Sequence, residues 1–312
     1  MENKDIFDDV VTFPERAVGE RFKGLVGLDP VKEHLIKEAR LLLNPKLLEE
    51  WSKKHHNKVI SLLTHFRNRA PLFIFGGDVG TGKTSLAESF GDPIARIENI
   101  TVTLYRLSLN ARGAGTVGEM TRLLTSAFSE VRDAARKGIS QKGKSNSAVI
   151  LLIDEADALA QSREFSQMHH EDRAGVNALI RGIDNLATEH IPAIVVMCTN
   201  RLEAIDPAVR RRAAAVFKFE RPNEIQRTAV FNQGLAGIGF TVEQIAQLVK
   251  LTGPNKELQF GYTYSDLVRR ILPSLLLDAF PDSPIKFERA LEIIKATHPT
   301  PPFRNETKPE IK

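Results

Sequence analysis

Between residues 72 and 219, short and wholly apolar runs alternate with longer stretches in which apolar residues return every three or four positions. The first pattern belongs to strands buried on both faces and the second to amphipathic helices. Strands are predicted over 72–75, 101–109, 148–153, 193–199 and 215–219, and helices from Lys83 onward, over 116–137 and over 175–186. Strands interleaved with helices predict an α/β fold, a parallel sheet flanked by helices on both sides. Ahead of it, Val31, Leu35, Ala39 and Leu42 keep helical spacing through Leu43, with Asp29 as a cap and Pro30 in the first turn. A second helix is predicted over 45–66, carrying Lys53, Lys54, His55 and His56 as a solvated cluster. After Arg221-Pro222 the strands stop, and helices over 223–234, 242–251, 264–280 (kinked at Pro273) and 286–296 predict a smaller α-helical domain.

The expected organisation is therefore a flexible segment over 1–21, a large α/β domain over 22–221, a small helical domain over 222–298 and a proline-rich disordered tail over 299–312. The 312 residues suffice for both domains, and 42% apolar with 26% charged residues is ordinary for a soluble globular chain. No stretch approaches the ~18 continuous apolar residues of a membrane span. The acidic start, MENKDIFDDVV, does not resemble a secretory signal. A single cysteine, Cys198, ends an apolar run and is expected to be a buried hydrophobe in a reducing, cytoplasmic setting. The net charge of +4, from 43 basic and 39 acidic residues without a basic tract, gives no footprint for nucleic acid.

Chemistry enters at Gly77-Asp78-Val79-Gly80-Thr81-Gly82-Lys83-Thr84, followed by Ser85. Glycines allow a backbone whose N–H groups face phosphate oxygens, and the helix that follows adds the positive end of its dipole. Lys83 is placed to reach the β- and γ-phosphates of ATP, and the Thr84 hydroxyl to help hold Mg²⁺. Asp78 is an oddity, an acid inside an anion-binding loop. The apolar strand 149–153 ends in Asp154, suited to the Mg²⁺ shell, and in Glu155, suited to polarising the attacking water. Strands of one parallel sheet end on the same side, so Asn200, after the strand 193–199, is expected beside the γ-phosphate. Arg210, Arg211 and Arg212 follow Asp206-Pro207 and offer a positive charge to a neighbouring subunit's site.

In order, GDVGTGKT, VILLIDEAD, MCTN, DPAVRRR and GYTYSDL resemble the AAA+ ATPases over nearly the whole chain. That resemblance implies a homo-hexameric ring with nucleotide at subunit boundaries. It also implies Walker A and Walker B motifs at the first two stretches and a sensor-1 role for Asn200. Val26 and Gly27 match the adenine-contacting segment, and Gly261 to Leu267 match the start of the sensor-2 helix in a C-terminal lid domain. LYRLSLNARGAGTVGEMTRLLTSAF, HEDRAGVNALIRGIDNL, EAIDPAVRRRA and LVRRILPSLLLDAF carry a closer resemblance to the pachytene-checkpoint AAA+ remodellers, whose substrates are HORMA-domain proteins. Only about twenty residues precede the core. That is similar to the bacterial members of cyclic-oligonucleotide antiphage systems, which disassemble an active complex of a HORMA protein and a cyclic-nucleotide synthase.

The chain departs from the family at three places. The pore loop usually carries an aromatic, whereas the matching residues are Thr116, Val117 and Gly118. Ser265-Asp266 stands where a sensor-2 arginine is usual, leaving Arg269 or Arg270, one turn on, as substitutes. The arginine triplet leaves the finger open, with spacing favouring Arg212 and then Arg211. Competing functions are a DNA-linked AAA+ ATPase, which lacks a helix-turn-helix or zinc module to support it, and a non-hydrolysing nucleotide scaffold, against which Lys83 and Glu155 both stand. His169-His170-Glu171-Asp172 has the wrong spacing for a zinc protease and is expected to lie in a second pore loop.

Overall fold

The computed structural model describes residues 6–108, 118–139, 145–159, 170–255 and 259–303, with side chains for all of these but 170–172. Helices and strands follow in the order β1 (Phe7–Phe13), α1 (Arg16–Lys23), α2 (Asp29–Leu43), α3 (Lys46–His56), α4 (Leu62–Arg67), β2 (Leu72–Gly77), α5 (Lys83–Ala87), α6 (Gly91–Glu98), β3 (Thr101–Leu107) and α7 (Glu119–Lys137). The chain continues with β4 (Ser147–Ile153), α8 (His170–Glu189), β5 (Ala193–Thr199), α9 (Pro207–Arg210), β6 (Ala215–Phe219), α10 (Glu224–Gly234), α11 (Val242–Leu251), a π-helical turn (Asp266–Ile271), α12 (Leu272–Ala279) and α13 (Phe287–Ala296).

The chain forms two compact units. The first comprises residues 1–23, 30–76 and 84–218, and the second residues 24–29, 77–83 and 219–312. The first unit is the expected α/β fold. Its sheet has the strand order β1-β3-β4-β5-β2-β6, with β3, β4, β5 and β2 joined in parallel and β1 antiparallel at one edge. Alternate residues of the central strands serve opposite faces. Leu72, Ile74, Val149, Leu151, Ile153, Val195 and Met197 pack with Leu123, Ala127 and Val131 of α7 and with Val176, Leu179 and Ile183 of α8. On the other face Phe73 and Phe75 meet Phe217 edge-on, at ring separations of 5.7 and 5.5 Å. Phe75 also faces Phe90, the residue before α6, at 6.5 Å, and Gly91 of α6 lies against Ile150, so helices cover both faces. Cys198 is buried and in no disulfide among the described residues.

The second unit packs Phe231 and Val230 of α10, Leu248 and Val249 of α11, Leu275 of α12 and Ile294 of α13 around Tyr262, Leu267 and Ile271. Asn223 with Gln226, and Thr241 with Gln244, form reciprocal capping boxes that start α10 and α11.

Several expectations need correction. Residues 1–21 are not simply a flexible arm, because Phe7–Phe13 pairs with β3 and Arg16–Lys23 is helical. The single helix expected over 45–66 is two, since Asn57 closes α3 in the left-handed conformation at φ 56°. The boundary expected at 221/222 falls at 218/219, with 24–29 and 77–83 grouping with the helical unit. The bend expected at Pro273 is instead a π-helical turn over Asp266–Ile271 that hands over to α12 one residue before the proline. The disordered tail is also wrong for its first residues. Thr300 donates from N and Oγ1 to Asp266, at 3.0 and 2.7 Å, and Phe303 N donates to Asp78 at 3.0 Å. Residues 304–312 lie outside the described residues.

Candidate functional site

In the second unit the stretch Gly77–Lys83 forms a tight loop. Lys83, only 6% exposed, folds back and donates from Nζ to the carbonyls of Gly77 at 3.0 Å and Asp78 at 2.7 Å. Thr81 Oγ1 donates to the same Asp78 carbonyl at 2.7 Å. Two glycines are required by geometry. A Cβ on Gly77 would stand 2.0 Å from the Phe219 carbonyl oxygen, and Gly80 sits at φ +70° with Ser265 N donating to its carbonyl at 3.0 Å. Val79 is exposed between them. The Asp78 carboxylate is taken up by Arg221, whose Nε lies 2.7 Å away.

Val26 packs partly buried against the helical core, and the Gly27 carbonyl accepts from Gln226 Nε2 at 2.7 Å. A side chain on Gly27 would strike the Tyr264 hydroxyl. That hydroxyl is buried without a hydrogen-bond partner among the described residues, and burial, with Asp29 nearby, pushes its pKa up to about 12. In the π-helical turn, Arg270 Nη1 donates to Asp266 at 2.9 Å and to the His298 carbonyl at 3.0 Å, so its guanidinium is committed within the second unit. Arg269 is exposed.

The chain returns to the first unit at Thr84. Thr84 Oγ1 lies 3.2 Å from Asp154 Oδ1, just past the end of β4. These are hard oxygen donors, and one carboxylate with one hydroxyl fits Mg²⁺, which ordinarily completes its shell with water and phosphate oxygens. Among the described residues no group of three or more His, Cys, Asp or Glu side chains forms a further metal cluster. The Ser85 carbonyl accepts from Ser89 Oγ at 2.6 Å, helping α5 to turn into α6. Arg106 on β3 bridges Glu88 at 2.7 Å and Asp154 Oδ2 at 3.3 Å, placing a counter-charge behind that carboxylate.

Glu155 is exposed and left-handed, at φ 49°. A non-glycine residue held there stores about 1–3 kcal/mol of strain, and such residues concentrate at active sites. The parallel pairing of β4 with β5 sets Ile153 opposite Met197, so Asp154, Glu155 and Asn200 leave the sheet at the same edge. Thr199, just before Asn200, donates to Asp157 Oδ1 at 2.9 Å and accepts from Arg201 N.

Asp206 caps α9 by accepting from Ala208 N at 2.7 Å, and the arginine triplet follows. Arg210 reaches Glu203 at 3.4 Å, and Arg211 is exposed. Arg212 forks onto Asp184 of α8, with Nε and Nη2 at 2.7 and 2.9 Å, while Nη1 donates to the Ala208 carbonyl at 2.8 Å. Of the pore-loop residues, Thr116 and Val117 lie outside the described residues, and Gly118 stands at φ +83° as the residue before α7. His169 is likewise outside them, and α8 begins at His170. Sequence reasoning missed Arg106, Asp184 and Arg221. Arg106 sits on a strand and Asp184 on a long helix, where a charged residue usually marks a wet face.

A family model described as "ATPase family associated with various cellular activities (AAA)" matches residues 72–221. The chain is 49% identical over 299 residues to CD-NTase-associated protein 6 of Escherichia coli (strain MS 115-1), covering 96% of each chain. Among solved structures, a chain of the E. coli MS115-1 HORMA:CdnC:Trip13 complex superposes with TM-score 0.91 at 48% identity, covering 96% of this chain and 98% of that one. Rhizobiales Trip13 does so with TM-score 0.77 at 44% identity, covering 95% and 100%. With the phosphate loop and the acidic strand end both formed, and with relatives this similar along almost their whole length, the chain belongs to the AAA ATPases, in the Trip13-like group, and is an ATPase.

Proposed function

We propose that this ATPase works as a homo-hexameric ring in the bacterial cytoplasm. It uses Mg-ATP hydrolysis to unfold or take apart a HORMA-domain protein complex, and so restrains a cyclic-nucleotide synthase in an antiphage second-messenger system. The observation that carries this reading is the similarity, over nearly the full chain, to a component of a solved complex that also contains HORMA and CdnC.

On this reading the backbone N–H groups of 77–84 and the Lys83 ammonium hold the β- and γ-phosphates. The contacts of Lys83 with the carbonyls of Gly77 and Asp78 keep the ammonium at the loop that would hold the phosphates. Thr84 and Asp154 would hold Mg²⁺, which when bound neutralises charge on the phosphate oxygens. Glu155 takes the proton of the attacking water while Asn200 orients that water. As the water oxygen bonds to the γ-phosphorus, the bond to the ADP oxygen breaks.

Arg212 acts across the subunit boundary, with Arg211 as the second guanidinium. Among the described residues Arg212 uses three of its five N–H donors, and two remain for a neighbour's phosphate. Val26 and Gly27 line the adenine, Arg269 serves from the lid, and Thr116, Val117 and Gly118 engage the polypeptide. The chain then works as an ATPase core and a lid.

The test mixes the purified chain with a preassembled HORMA–synthase complex and follows second-messenger output and complex size. With ATP, the wild type is expected to lower output and dissociate the complex, and Glu155→Gln to bind it without dismantling it. A complex that stays intact and active while ATP is turned over normally rules the remodelling role out.

A further inference from the structure

We propose that Asp78 is a positioning residue for ATP, tying the phosphate loop to Arg221 and to the C-terminal segment 297–303, so that this segment sets how firmly the loop holds nucleotide. The inference rests on the assignment of Gly77–Thr84 as the phosphate site.

An acid inside an anion-binding loop repels the ligand unless its charge is drawn off. Here it is. Arg221 Nε and Nη2 both lie 2.7 Å from Asp78 Oδ2, and the arginine side chain is only 13% exposed. Arg221 is itself fixed: Nη1 donates to the Gly261 carbonyl at 2.6 Å, and the guanidinium lies 4.9 Å over the Phe260 ring. The other carboxylate oxygen accepts from Val79 N at 2.8 Å and from Phe303 N at 3.0 Å. The main chain of the same residue accepts from Lys83 and Thr81. Residue 78 is thus held through both side chain and backbone, and its orientation fixes the peptide groups next to it.

The C-terminal segment is anchored along its length. Tyr262 donates its hydroxyl to the carbonyls of Ile294 and Thr297, and Arg270 donates to the His298 carbonyl. Between residues 299 and 303 the sequence is Pro-Thr-Pro-Pro-Phe, and proline has no N–H. Only Thr300 and Phe303 can donate from the backbone there, and each donates to an aspartate: Thr300 to Asp266 and Phe303 to Asp78, both at 3.0 Å. The three prolines restrict the segment before it docks, which lowers the entropy lost on ordering it. One end is pinned to the π-helical turn and the other to the phosphate loop.

Because these contacts shape the loop and leave Glu155 untouched, their loss should appear in KM for ATP and leave kcat near its normal value. The experiment measures ATP turnover against ATP concentration, and nucleotide release, on the full chain. Phe303→Pro removes the N–H and should raise KM by roughly tenfold, the effect of losing a hydrogen bond to a charged group. Phe303→Ala, which retains the donor, controls for the ring and should keep most of the affinity. Asp78→Ala should raise KM further, and Asp78→Asn, which still accepts both N–H bonds, should fall between it and wild type. Lys83→Ala separates the two assignments. If Lys83→Ala still binds ATP normally, the phosphate site has been misassigned. If it loses ATP while Asp78→Ala and Phe303→Pro keep the wild-type KM, or lower kcat instead, the role given to Asp78 is wrong. Phe303→Pro lies on an exposed segment and carries the test even if Asp78→Ala does not fold.

Discussion

Arg212 and Asp184 are locked in a two-pronged pair, Nε and Nη2 of one meeting the two carboxylate oxygens of the other at 2.7 and 2.9 Å. The hydrogen bonds to Asp184 hold the guanidinium above its ordinary pKa, and they also fix its plane. A finger arginine contributes about 10³-fold or more to turnover. With Arg212 assigned as that finger in the proposed function, Arg212→Ala should lower kcat by about that factor. Asp184→Ala, which frees the guanidinium without removing it, should lower kcat by roughly tenfold, as expected for lost orientation. Arg212→Lys should not rescue, because a point charge cannot fork. Steady-state ATP turnover reads all three, and an Asp184→Ala enzyme with full kcat would show that the pair is structural only.

Glu155 combines an exposed carboxylate with a left-handed backbone. Asparagine tolerates that conformation better than glutamate does. Glu155→Asn is expected to melt no lower than wild type, and up to about 1 kcal/mol more stable, while hydrolysis falls by at least about a hundredfold. Thermal unfolding and single-turnover hydrolysis check the two halves separately. A melting temperature well below wild type would show that the glutamate carries stability as well as chemistry.

Asp266 is 1% exposed and receives hydrogen bonds from Thr263, Thr300 and Arg270. Burial works to raise its pKa, yet those hydrogen bonds outweigh it and hold the carboxyl below its usual value. A carboxyl whose folded pKa is depressed binds its proton more readily in the unfolded chain. Its stabilisation is therefore fully present above about pH 4 and is lost as pH falls through the folded value. Wild type should lose melting temperature most steeply as pH falls below about 4. Asp266→Asn should start about 2 kcal/mol less stable at pH 7 and show a shallower fall. Parallel pH profiles for the two proteins would remove Asp266 from the account.

Much of the α/β unit was legible because its signals are local. The runs at 148–153 and 193–199 are apolar throughout, as strands covered on both faces must be, and the loop before Lys83 contains the glycines its own backbone requires. The acid pair at 154–155 was legible for the same reason. β1 was not, since in FDDVVTF two aspartates and a bulge between Phe7 and Asp9 break the alternation that marks a strand. Nor was the anchoring of 297–303. Its donors are two backbone N–H groups whose acceptors, Asp266 and Asp78, stand 34 and 225 residues away. No window along the chain can register such a pairing. The same holds for Arg106 and Asp184, whose roles come from side-chain partners 48 and 28 residues distant.

β1 lies at the end of the sheet, so its outward backbone would offer a ready template to a stray strand from another molecule. Asp8 and Asp9 are exposed at its bulge, where adjacent negative charges and a local kink discourage such pairing. The irregularity that hid the strand from periodicity thus also makes this rim a poor template for a foreign strand.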